Sequence, residues 1–241
     1  MKTLILTIMT TIMSNIQATQ ARLNRVCCTA GRHPETVQLL AVSKLHPADA
    51  VRQAHAAGLC AFGENYVQEG LDKIAALADL RPVLAWHLIG PLQSNKTRAV
   101  AEAFDWVHSV DRLKTARRLS DQRPDALPPL NVCLQVNISG EDSKSGVAPA
   151  DVPALARAVA ALPRLRLRGL RSIPEPALDL AAQRRPHRAL RALFEQLNAE
   201  GLGLDTLSMG MSADLEAAVL EGATLVRIGT AIFGTRSPGR T

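Results

Sequence analysis

The stretch VQLLAVSKLHPADAVRQAHAAG, residues 37–58, decides the fold. Residues 37–43 are a short apolar run of strand length, and 47–57 follow a helical pattern. A strand passing directly into a helix is half of a parallel crossover unit. One lysine, Lys44, stands where the strand stops. The reading turns on whether this unit repeats and on what the repeats place around that amine.

The unit recurs along the chain. Further strands are expected at 60–63, 84–89, 105–109, 130–138, 165–173, 205–208 and 223–229. Helices are expected at 65–78, 94–103, 111–120, 149–161, 184–200 and 212–221. That makes about eight βα units at spacings of roughly 20 to 35 residues, a pattern that implies a parallel sheet. The chain has 241 residues, close to the roughly 250 of a (β/α)8 barrel, so a closed TIM barrel is favoured over an open doubly wound sheet. The Pro-rich stretches 124–129 and 172–176 read as loops, and no linker divides the chain. Ile16, Leu23 and Val26 give 14–30 the pattern of an extra N-terminal helix, so 14–236 is expected to form one domain. Residues 1–12 resemble a feeble signal peptide without a cleavage site and are expected to be a disordered tail or a mis-assigned start.

Bulk composition narrows the function. The chain is 47% hydrophobic and 21% charged, ordinary for a globular protein, with 3% aromatics. So few rings disfavour a stacking platform for single strands. The net charge of +6 comes without a nucleic-acid reading motif, so it fits attraction of small phosphorylated anions better. Cys27, Cys28, Cys60 and Cys133 show no metal-binding spacing, and no apolar run is long enough to span a membrane. Free thiols suit a reducing compartment, and a cytoplasmic location is expected.

In a βα barrel the strand C-termini form the active face. Leu40, Val42 and Lys44 share one strand face by period two. If that face is inward, the lysine enters the barrel mouth, where an amine can condense with a carbonyl. The other strand ends offer Asn65, His87, Ser109, Asn137, Ser172, Ser208-Met209-Gly210 and Gly229-Thr230. Barrels of this kind often hold phosphate after strands seven and eight. Asp214 and Glu216 partly offset the helix dipole after strand seven, so loop N–H groups and the Ser208 hydroxyl are expected to do more of the holding. A closed barrel pairs strand eight with strand one, setting Gly229 and Thr230 beside Lys44. An amine beside a phosphate subsite describes a site for pyridoxal 5′-phosphate. Arg227, on the Gly229 face, would then donate to the ring nitrogen. A guanidinium cannot share a proton with that ring as an aspartate would, so such a site holds the cofactor well and stabilises carbanions badly.

The strings VSK at 42–44, FGENYVQE at 62–69, WHLIGPLQSNK at 86–96, VNISGEDSKSG at 136–146, LSMGMSADLEAAV at 207–219 and VRIGTAIFG at 226–234 resemble the pyridoxal-phosphate homeostasis protein family. The resemblance covers about 14–236. It implies the fold of the alanine racemase N-terminal barrel, Lys44 as the Schiff-base lysine, phosphate contacts from Ser208, Gly229 and Thr230, and a ring-nitrogen contact from Arg227. Asn65 and His87 are implied as pocket-lining residues, although a helix cap and a satisfied core histidine are their bland readings. Ser143, Lys144 and Ser145 lack the G-x-x-x-x-G-K spacing and read as a solvated loop. The chain departs from the family at Leu45, usually a small hydroxyl residue, and at Arg171-Ser172, which replace a more apolar pair.

The resemblance also bears on catalysis. Alanine racemases use a lysine and a tyrosine, the latter from a C-terminal β domain of the partner subunit. No such domain is expected here, and Tyr66 is the only tyrosine. The expectation is a non-catalytic, monomeric carrier that stores pyridoxal phosphate and delivers it to apo-enzymes, influencing amino-acid and keto-acid balance. The alternative is a pyridoxal-phosphate-dependent amino-acid racemase.

Overall fold

A computed structural model of the chain describes residues 2–140 and 145–235. Its eight strands are β1 (Gln38–Val42), β2 (Ala61–Glu64), β3 (Ala85–Leu88), β4 (Trp106–Val110), β5 (Leu130–Gln135), β6 (Leu165–Arg171), β7 (Thr206–Ser208) and β8 (Leu225–Ile228). They close into one parallel barrel in chain order. The seam is β1 against β8, in register Leu40 to Arg227 and Ala41 to Ile228. The barrel expected from the βα repeat is therefore the barrel observed.

The helices are α1 (Lys2–Thr29), α2 (Ala48–Ala56), α3 (Val67–Ala76), α4 (Thr97–Ala103), α5 (Leu113–Gln122), α6 (Val152–Ala160), α7 (Leu180–Ala199), α8 (Leu215–Leu220) and α9 (Thr230–Phe233). Two of them differ from expectation. α7 starts at Leu180 because Asp179 accepts a hydrogen bond from the Ala182 N–H at 2.7 Å, an N-cap upstream of the arginine-rich stretch. α1 runs back to Lys2, so residues 2–12 continue the helix. No Pro or Gly interrupts 2–29, and Ile12 and Ile16 are buried in the core. Residues 143 and 144 of the expected solvated loop lie outside the described residues.

Strand alternation divides the interior in two. Ala41, Phe62, Trp86, Leu88, Leu134 and Leu170 point outward and pack under the helices. The inward apolar set is small: Leu40, Val42, Ala61, Ile89 and Leu225. Much of the remaining inward layer is polar and buried, with His87, His108, Ser208, Arg171 and Arg227. A barrel filled with branched aliphatic residues would be more stable, and buried polar groups are tolerated only when hydrogen-bonded. This interior is organised around its upper rim. Among the described residues no helix is long and apolar enough to cross a membrane. None of the described residues form a cluster that could hold a metal ion.

Candidate functional site

Lys44 follows β1 with the parity expected. Leu40 and Val42 point inward, and Lys44 emerges above them into a cavity of about 250 Å³. That volume is below the ~300–1,000 Å³ of drug-sized pockets, so it suits one small molecule. Asn65, Arg227, Gly229 and Thr230 line the same cavity. Five expected site residues from three strand ends thus meet at one place. Arg171 lines it too, and no lining residue is a carboxylate. Three cationic side chains around one small cavity, without an acid, call for an anion. A phosphorylated aldehyde fits this donor set: amine, guanidinium, and glycine and hydroxyl groups from the last strand.

The chain around Lys44 is held from outside the sheet. Ser43 points away from the barrel and donates to buried Glu64 Oε1 at 2.6 Å. Lys73 of α3 donates to the same oxygen at 2.8 Å, to the Ser43 carbonyl at 2.7 Å and to Glu69 Oε1 at 2.7 Å. Glu69 in turn accepts the Leu45 N–H. Both neighbours of Lys44 are therefore anchored, and Leu45 takes φ 62°, a left-handed conformation rare for a γ-branched residue. Burial raises the Glu64 carboxyl above the usual range, while Lys73 and then Ser43 pull it back. The amine of Lys44 itself has no hydrogen-bond partner among the described residues.

A second assembly lies inside the barrel, one layer below the cavity. Arg227 Nη1 donates to the Ser208 carbonyl at 2.5 Å and to Ser208 Oγ at 2.9 Å, and Nη2 donates to the Ser172 carbonyl at 2.8 Å. Ser208 Oγ lies 2.9 Å from His108 Nδ1, and His108 Nε2 lies 2.9 Å from His87 Nδ1. An arginine can only donate. With the Ser208 hydroxyl donating to His108 Nδ1, the His108 Nε2–H donates to His87 Nδ1; the opposite neutral tautomers reverse both bonds. Both imidazoles are then neutral. Burial drives this, holding His87 down at about 3 and His108 well below the ordinary 6.5. Burial also lowers Arg227 to about 10, which leaves it cationic at neutral pH.

Other expected site residues lie away from the Lys44 cavity. His87 lines neither rim cavity: it is fully buried, bonded to His108 and stacked on Trp106 at 5.1 Å. Ser208 turns its hydroxyl down into the interior, and Met209 points outward into the core. Gly210 is needed for the turn, with φ 91° and a would-be Cβ 2.5 Å from that of Ala218. Beyond it, Met211 and Ser212 reach the cavity instead. Asp214 shapes this loop by accepting the Met211 N–H at 2.7 Å. Sequence parity predicts the inward turn of Ser208 but not how deep it sits. No sequence signal marks His108, Ser212 or Lys73.

The N-terminal helix braces both rim loops. Arg22 donates to Glu216 at 2.6 and 2.7 Å and to the Ser212 carbonyl at 2.9 Å. Asn15 donates to the Ile232 carbonyl at 2.9 Å. The Arg22–Glu216 pair holds Glu216 below its ordinary value, so the acid expected to weaken the loop's dipole is occupied by a cation.

Fold and site define a class: a parallel (β/α)8 barrel with a lysine just past its first strand, in a cavity whose rim is completed by Ser212, Gly229 and Thr230 after its last two strands. The family model "Alanine racemase, N-terminal domain" matches residues 14–237. The chain is 66% identical over 231 residues to the pyridoxal phosphate homeostasis protein of Pseudomonas aeruginosa, covering 96% of this chain and 98% of that one. It is 53% identical over 229 residues to the protein of the same name from Escherichia coli K12, covering 95% and 98%. The structure of PipY from Synechococcus elongatus with PLP bound aligns at TM-score 0.76 and 41% identity, covering 88% of this chain and 99% of that one. Alanine racemase from Corynebacterium glutamicum, at 19% identity and TM-score 0.68, shares the fold over 96% of this chain and 62% of its own. The chain belongs to the pyridoxal phosphate homeostasis protein family, within the wider group built on the alanine racemase N-terminal barrel.

Proposed function

We propose that this protein is a pyridoxal 5′-phosphate carrier that holds the cofactor on Lys44 and releases it to apo-enzymes. The carrying observation is the shared cavity: a half-buried amine, an arginine and the Gly229–Thr230 turn around about 250 Å³, with no acid among the lining residues. The named relatives and the PLP-bound PipY support the same ligand. When bound, the cofactor supplies an aldehyde, with which an amine condenses to a Schiff base with loss of water. Lys44 offers that amine. Ser212 and the Gly229–Thr230 turn orient the phosphate. Arg227, tied to two carbonyls and still protonated, donates toward the ring nitrogen without yielding a proton.

The carrier reading is non-catalytic. An arginine opposite the ring nitrogen makes a poor electron sink, which suits storage more than carbanion chemistry. The only tyrosine, Tyr66, is exposed and absent from the cavity lining, so no second acid–base residue of the racemase kind is apparent. A monomer working in the cytoplasm completes the reading.

Borohydride reduction of loaded protein followed by peptide mapping tests the attachment. The label is expected on Lys44 and on no other lysine, and Lys44→Ala should take up none. A label elsewhere overturns the assignment. Transfer is read by mixing loaded protein with an apo-enzyme and timing the return of activity. Loss of optical activity from an amino-acid panel would instead establish a racemase.

A further inference from the structure

Beside the Lys44 cavity lies a second one of about 210 Å³, reaching over the ends of β3 to β6. The two share Asn65, Ile89, Arg171 and Ile173. The second is lined by Ser109, Gln135 and, at its rim, Arg112, none of which line the first. Arg171 stands at the junction. Its Nη1 donates to Gln135 Oε1 at 2.7 Å, which fixes the guanidinium plane on the second-cavity side.

Two buried polar atoms here lack partners. Arg171 is 4% exposed and its Nε is bonded to nothing among the described residues; Ser109 is 6% exposed and its Oγ is likewise unbonded. No acid among the described residues pairs with Arg171, and the strongest charge acting on it is another cation, Arg227. A buried guanidinium without a counter-charge is costly unless an anion completes it. Asp111 also lines the cavity, but it is paired with Arg112 at 3.0 Å on the rim. With Nη1 occupied, the edge through Nε remains, and a guanidinium edge of two parallel N–H groups matches the two oxygens of a carboxylate. Arg171 is also where this chain departs from the apolar residue expected of its family.

We propose that this second cavity is a binding site for a small carboxylate, seated on Arg171 and Ser109 beside the cofactor cavity. A 2-oxo acid or an amino acid bound there would have its carbonyl or amine facing the first cavity. The site extends the carrier reading but can be measured without it.

Propionate, which has neither amine nor carbonyl, probes the site by ligand-observed NMR titration of the loaded and the unloaded protein. Millimolar binding is expected, weakened at least ~10-fold in Arg171→Met and by roughly threefold in Ser109→Ala. Pyridoxal phosphate affinity in Ser109→Ala, a residue that lines only the second cavity, should stay within about threefold of wild type. Three results overturn the proposal: no propionate binding, equal binding by Arg171→Met, or displacement by inorganic phosphate at lower concentration than by acetate. A cofactor affinity that falls in Ser109→Ala in parallel with propionate binding also overturns it, since the anion seat would then not be separate from the first cavity. Failure of the wild-type protein to take up cofactor sinks only the carrier reading, because the unloaded titration still decides this one. Ser109→Ala keeps the test open should Arg171→Met fail to fold.

Discussion

Two buried polar assemblies hold the rim of this barrel, one outside the sheet and one inside it. The outer one places Ser43, Glu64, Lys73 and Glu69 between the sheet and α3, and it fixes the backbone on both sides of Lys44. The inner one runs from Arg227 through Ser208 and His108 to His87 and orients the guanidinium. They solve the same problem in opposite ways. The outer assembly buries a charge against its counter-charge. The inner assembly buries one cation and lets the rest stay neutral. A compensated pair is fragile to loss of either partner, whereas a neutral relay is fragile to protonation. Both leave the working groups, Lys44 and Arg227, facing the cavity.

Breaking the outer assembly should have the largest effect. Lys73→Met leaves Glu64 buried without its cation, with Oε2 already unpartnered. A loss of about 3–5 kcal/mol in urea unfolding is expected. Glu64→Gln, which removes the charge too, should restore part of it. A Lys73→Met protein as stable as wild type would remove the ion pair from the account.

Acid tests the inner assembly next. Both histidines are neutral in the fold, with His87 held down at about 3 against an ordinary 6.5. Below 6.5 the unfolded chain takes up protons that the folded chain refuses, so stability falls as pH falls from 6.5 toward 3. Between pH 7 and 5.5 the two sites together cost about 2–3 kcal/mol. His87→Leu should reduce that loss by about half. Glu64 works in the other direction: its carboxyl is raised, so its contribution is full below 4.5 and is lost as pH rises through its folded value. Urea midpoints across this range, for wild type and Glu64→Gln, separate the two slopes.

Smaller effects sharpen the contrast. Ser208→Ala cuts the relay between Arg227 and His108 and should cost about 1–2 kcal/mol. Its signature is the ring-nitrogen NMR spectrum, in which the tautomer balance of His108 shifts. Lys44→Ala should change stability by less than about 0.5 kcal/mol, because its amine is bonded to nothing described, while abolishing cofactor uptake. A strongly destabilised Lys44→Ala would give that lysine a structural task as well.

The extent to which the site was legible follows the same division. Period-two alternation along β1 and β8 sends Leu40, Val42, Lys44, Arg227 and Gly229 to one side, and closure of the barrel brings the two strands together. Those residues were readable because strand geometry alone decides where they point. His87 and Ser208 point inward as parity requires, yet both sit a layer too deep to reach the cavity. Depth depends on the stagger between neighbouring strands, which no single strand encodes. Ser212 reaches the cavity only because Gly210 and Asp214 turn the loop there.

From the sequence alone came the count of βα units, the closed barrel, the lysine at the first strand end and the Gly229–Thr230 turn beside it at the last. These rest on local periodicity and on the short list of ways a parallel sheet can bury both faces. Only the tertiary structure decided which polar residues meet. Lys73 lies 30 residues beyond Ser43, and His108 lies 100 residues before Ser208, yet each pair is in hydrogen-bond contact. Such pairings depend on strand stagger and helix placement across the whole barrel, and the free cationic edge of Arg171 exists only because its neighbours leave it unpaired.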